Sequence, residues 1–136
     1  MDLDFAFLAD AADVSLGKLF VLGGAFDTIY VPVLPATHPV LAVVVRLLLS
    51  PIDLDRKHDL EILLLDADAR HIASAKGELK VPKSPDSPPG WKQAVILPLR
   101  FFNVPFQHTG HYSIEILING TMAKAIPLRV IQTPKS

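Results

Sequence analysis

An all-β fold of two packed layers is what this sequence predicts, on three observations. First, 12 prolines are spread through the 136 residues, so few windows of a dozen residues escape a proline or glycine. Helices do not propagate through such breaks. Second, the segments between the breaks alternate apolar and polar residues with a period of two, which puts one side-chain set on each face of a strand. Third, turn chemistry recurs between those segments. No long stretch with the 3.6-residue period of an amphipathic helix is visible.

Taken in order, strands are expected near residues 3–13, 18–23, 25–31, 40–49, 58–66, 71–79, 94–102, 111–118 and 123–131. HDLEILLLD offers Leu60, Ile62 and Leu64 to one face. AVILPLRFF offers Val95, Leu97, Leu99 and Phe101, opposite Arg100. YSIEILI offers Tyr112, Ile114, Ile116 and Ile118, with Ser113 and Glu115 on the other side. KAIPLRV closes the series with Ile126, Leu128 and Val130, opposite Arg129.

The punctuation fits. Asn119-Gly120 favours positive φ at a tight turn, so Asn119-Gly120-Thr121 reads as a hairpin rather than as a glycosylation acceptor. Asp66 and Asp68 in DADAR supply local hydrogen bonds to a turn. PKSPDSPPG, residues 82–90, is a long exposed loop rather than a linker, because strand patterns flank it closely. About eight or nine strands in one domain, 1–136, give a two-layer antiparallel β-sandwich of immunoglobulin-like or C2-like type. Tyr112, two residues after Gly110, stands where such a sandwich keeps a corner tyrosine.

Composition excludes several functions. Thirteen basic residues against 14 acidic ones, with no basic stripe, lack the footprint of a nucleic-acid binder. The absence of cysteine excludes disulfides, thiolate metal sites and a cysteine nucleophile. MDLDFAFLAD has no basic n-region for export, and the longest apolar run, Val40 to Leu49, is half a membrane span and carries Arg46. A cytoplasmic protein that contacts neither membrane nor nucleic acid is the expectation.

The glycines of FVLGGAFDTIY pose the sharpest local question. A phosphate loop needs GxGxxG or a Lys-Ser/Thr pair before a helix, and AFDTIYVPVLP provides neither. Gly23 and Gly24 are therefore read as a corner or bulge between neighbouring strands, KLFVL and AFDTIYV. The opening MDLDFAFLADAADVSLGKLFVLGG, the LLDAD turn and the GHYSIEILING…PLRV close together resemble a family of short, uncharacterised bacterial proteins. The resemblance spans almost the whole chain and implies a β-sandwich, but no activity, cofactor or catalytic residue. Ala69 departs from it, standing where an Asp-Gly turn has glycine.

Chemistry is sparse. His108 and His111 flank Thr109-Gly110, where the glycine favours a loop, and further zinc ligands lie only on distant segments, so they are weak metal candidates. Asp66 and Asp68, like Asp53 and Asp55, have the Asp-x-Asp spacing of a calcium site, yet Arg70, Arg56 and Lys57 neutralise them. No GxSxG elbow is present. Trp91 is expected to be buried, as tryptophan usually is. No catalytic residue, metal or cofactor is assigned.

One segment asks for explanation. In VLAVVVRLLLS both strand faces are apolar apart from Arg46, whereas a sandwich strand needs one. Mean hydropathy of +0.36 points the same way. Val40, Val44 and Leu48 share the face of Arg46, and that face should be covered, by the proline-rich loop or by another chain. The reading is a non-enzymatic interaction or accessory module, contacting itself or a protein partner. A small-ligand or metal-binding sandwich (calcium or zinc) is the alternative, and a hydrolase without a recognisable motif the third.

Overall fold

The computed structural model describes residues 1–134 and contains nine strands and one short 3-10 turn. The strands are β1 (Asp2–Ser15), β2 (Lys18–Gly24), β3 (Thr28–Val31), β4 (Ala36–Leu49), β5 (Lys57–Leu65), β6 (His71–Lys80), β7 (Gln93–Phe106), β8 (Gly110–Ile118) and β9 (Thr121–Gln132). They form two sheets, in the orders β2-β1-β4-β7 and β3-β9-β8-β5-β6. All pairings are antiparallel except that of β3, which runs parallel to β9.

The predicted faces are the ones that meet between the sheets. Leu60, Ile62, Leu64, Tyr112, Ile114, Ile116, Ile126, Leu128 and Val130 are buried in one cluster with Leu41, Val43, Val45, Leu47 and Leu49 of β4. Val95, Leu97 and Leu99 pack against that cluster from β7 and Phe101 lies within it. Burial of such side chains stabilises by about 1.5–3 kcal/mol each when complete, so the period-two pattern is what holds the layers together.

Turns are built as their residues demand. Asn119 and Gly120 take φ of 51° and 80° in the two-residue β8–β9 hairpin, the conformation Asn-Gly favours. Asn119 does more than turn. Its Oδ1 accepts the Asp59 N–H at 2.8 Å, which leaves its Nδ2 facing the Nδ1 of buried His58 at 3.0 Å. The His58 ring therefore carries its proton on Nε2 and donates it to the Asp53 carbonyl at 2.7 Å. Asn119→Gly keeps the positive φ and removes only the side-chain contacts. It is expected to cost about 1–3 kcal/mol, because a buried polar group is left without a partner, and urea unfolding measures it. Unchanged stability would leave Asn119 with its turn role alone.

Two expectations are corrected. KLFVL and AFDTIYV are consecutive but not paired: β2 borders β1 in one sheet, and β3 borders β9 in the other. The glycine corner thus carries the chain between sheets, which local sequence does not distinguish from a turn within one. Trp91 is 63% exposed: it sits in the mostly exposed, proline-rich segment between β6 and β7, and Trp91 N–H donates to the Pro88 carbonyl within that segment's own turn.

Candidate functional site

The outer face of the four-stranded sheet, turned away from the core, is the most distinctive surface. A second apolar cluster lies there, made of buried Ala9, Ala12, Ala42 and Val44, with Phe5, Phe7, Leu19, Val21 and Ile96 packed against it. Register explains its assembly. Val44 on β4 lies between Phe7 of β1 and Pro98 of β7, and Arg46 lies between Phe5 and Ile96. Phe5 and Phe7 stack with centroids 5.8 Å apart and planes at 22°. Directly opposed side chains on one sheet face are in contact, so Val44 is wholly buried by its own sheet.

Neither the proline-rich loop nor a second chain is needed to bury Val44; the aromatic and proline side chains of flanking strands do so laterally. Val40 and Leu48 remain half-buried towards the two ends, opposite Phe102 and Ala94. Apolar surface also reaches solvent at Phe5, Phe7, Ile96 and Phe102, the last 66% exposed. None of these four figured among the expected contact residues. The i, i+2 spacing of the two phenylalanines in DFAF was the available signal.

Two arginines lie among these side chains, and both have partners. Arg46 pairs with Asp4, each side chain about one-third exposed. Asp4 falls at the register irregularity between Leu3 and Phe5, and an extra residue in a strand re-aims side chains in this way. Arg100, opposite Ala42, donates to the Ala12 carbonyl of β1. Arg46 thus ties β4 to β1, and Arg100 ties β7 to β1 across β4.

The other expected residues are dispersed. Asp66 accepts the Asp68 and Arg70 N–H groups at 2.9 Å each, in a turn where Ala69 takes φ of 60°. Asp68 lies 3.4 Å from the Arg70 guanidinium. His108, in the turn before β8, and His111, on β8, are both exposed, and the His108 carbonyl accepts the Tyr112 hydroxyl at 2.7 Å. Among the described residues no three His, Asp or Glu side chains converge as a metal ion requires.

At the glycine corner, Gly23 takes φ of 60°, and a Cβ there would lie 2.2 Å from Asp10 Oδ2. Gly23→Val is expected to lower stability by about 1–3 kcal/mol through backbone strain and displacement of Asp10, measured by thermal melting; unchanged melting would refute it. The corner opens on a groove of about 610 Å³ bordered by Asp10, Phe26, Tyr30 and His38.

Residues 4–131 match a family of unknown function, DUF6941. The chain belongs to that family. The family match runs from β1 into β9, so both sheets fall within it. No curated protein shows significant similarity to the chain. A solved structure of Pseudomonas fluorescens alkylpurine DNA glycosylase AlkC, bound to DNA containing an abasic site analog, aligns with a TM-score of 0.44 and 10% identity. The alignment covers 76% of this chain and 27% of that one, so the chain spans about a quarter of the glycosylase's length. Likeness at that level carries no functional argument. Among the described residues no helix is long and apolar enough to cross a membrane.

Proposed function

We propose that this DUF6941 protein is a non-enzymatic, cytoplasmic interaction module, and that the outer face of its four-stranded sheet is where a protein partner docks. The observation that carries this reading is the apolar surface of Phe5, Phe7 and Ile96 around a fully buried Val44, with the exposed Phe102 further along the same face. A sheet face turned to water is ordinarily polar, and aromatic side chains are enriched at the centre of protein interfaces. Arg46 and Arg100, already held by Asp4 and the Ala12 carbonyl, add donors on the same face whose ordering cost is partly met before a partner arrives.

A photocrosslinking amino acid in place of Phe102 is the direct test. It is expected to give one discrete protein adduct in cells that make the protein, and Phe5→Glu is expected to abolish that adduct without unfolding the chain. No adduct, or an adduct indifferent to Phe5→Glu, would overturn the reading. A small-ligand function is the second reading, supported by the corner groove, whose volume lies within the range of ligand sites. A compound that raises the melting temperature in wild type but not in His38→Ala would favour it.

A further inference from the structure

Strand β6 ends the five-stranded sheet, and among the described residues no strand pairs with its outer edge. A free edge is ordinarily blunted by proline, a bulge or repelling charge. β6 has no proline, its one register irregularity falls at Ile72, well away from Gly77, and its charges have an unusual arrangement. Lys76 and Glu78 stand symmetrically about Gly77, on the exposed face.

Gly77 has no local reason to be glycine. Its φ is not in the positive range, and a Cβ built on it meets nothing within 4 Å. A glycine inside a strand marks a place where another backbone or a ligand comes close. Gly77 lies opposite Leu60, and the missing side chain leaves an apolar slot of about 120 Å³ at the open side of the sandwich. Leu60, Ile62, Ala75 and Leu79 line it from one sheet and Leu97 and Leu99 from the other. Apolar cavities of about 150 Å³ accept a benzene-sized group, so this slot has room for one aliphatic side chain.

We propose that β6 pairs antiparallel with β6 of a second copy of this chain, about a two-fold axis through Gly77, joining two five-stranded sheets into one. This register sets Lys76 opposite Glu78 of the second copy, and Glu78 opposite its Lys76. It also sets Ala75 opposite Leu79 of the second copy, which brings that leucine beside the slot. Opposed residues in an antiparallel pair share a face, so the two apolar faces merge and the charges stay in water. Moving the axis to Lys76 sets lysine against lysine. Moving it to Glu78 sets glutamate against glutamate, and Lys76 against Lys80. Charge complementarity thus selects the Gly77 register over both neighbours. The proposal concerns a different surface from the face bearing Phe5 and Phe102 and stands or falls separately.

Sedimentation equilibrium of the full chain tests it. Wild type is expected to dimerise reversibly, Lys76→Glu and Glu78→Lys each to weaken the dimer by about tenfold or more, and the double exchange to restore it. A monomeric wild type at about 100 μM, where even a weak specific contact should be populated, would overturn the proposal. So would a dimer indifferent to the charge exchanges. A covalent assay covers any variant that folds poorly. The chain has no cysteine, and opposed Cα atoms about 4.5–5.5 Å apart lie within disulfide reach. Gly77→Cys is therefore expected to form a disulfide-linked dimer on mild oxidation, and Ser74→Cys, opposite Lys80 rather than itself, to remain monomeric. The reverse pattern, or equal crosslinking at both positions, would overturn the register.

Discussion

Val44→Asp is expected to unfold the chain rather than dissociate it. Val44 has no exposed surface and is flanked by Phe7 and Pro98 of its own sheet. An aspartate there gives up the apolar burial and leaves a carboxylate without a designed partner, since Arg46 is engaged by Asp4 and Arg100 by the Ala12 carbonyl. An uncompensated buried charge costs about 3–5 kcal/mol, against a total stability of about 5–15 kcal/mol for an ordinary domain. Far-UV circular dichroism and urea unfolding should therefore show a collapse of the midpoint. Phe102→Asp on the same face, at a 66% exposed position, should change stability by less than about 0.5 kcal/mol. A folded Val44→Asp protein that merely loses a dimer would mean that another chain provides the cover.

Tyr112→Ala is the second large expected effect, at about 3–5 kcal/mol for loss of a buried aromatic side chain. The ring meets Phe106 edge-to-face at 5.1 Å, and its hydroxyl donates to the His108 carbonyl four residues upstream at 2.7 Å. The tyrosine at the start of β8 thus pins the turn that leads into its own strand, the corner role expected of it. Tyr112→Phe keeps the ring contact and removes the hydroxyl, and should cost about 1 kcal/mol. The pair of variants separates packing from hydrogen bonding.

The same residue has a pH signature. Burial, reinforced by the negative charge of Asp66, holds the Tyr112 phenol above its ordinary value of 10.0. A group whose value is raised on folding contributes stability that is fully present below the unfolded value and is lost as pH rises through the folded one. Wild type should therefore lose part of its advantage over Tyr112→Phe in alkaline urea melts. A constant difference between the two through that range would contradict this.

The apolar alternation of β5, β7, β8 and β9 made their core faces legible from sequence, because a strand has only two faces and a two-state pattern is easily read. Asn119-Gly120 was legible for a related reason: positive φ at two successive positions is a strong local demand. His58 was not. Nothing in KHDLE distinguishes a buried histidine held by Asn119 and Asp53 from an exposed one, since its partners lie 61 and five residues away. Trp91 misled because average burial says nothing about whether an apolar receptor exists at a given loop.

Local sequence alone determined the all-β class, the nine strands, the principal core faces and the Asn119-Gly120 hairpin. Each of these depends on backbone dihedrals and residue alternation over a few positions, which are encoded where they act. Tertiary structure decided the rest. It placed β2 and β3 in different sheets, set β3 parallel to β9, and brought Phe7 and Pro98 to either side of Val44. Those outcomes depend on which distant strands become neighbours, and that choice minimises exposed apolar surface over the whole chain rather than within any one segment.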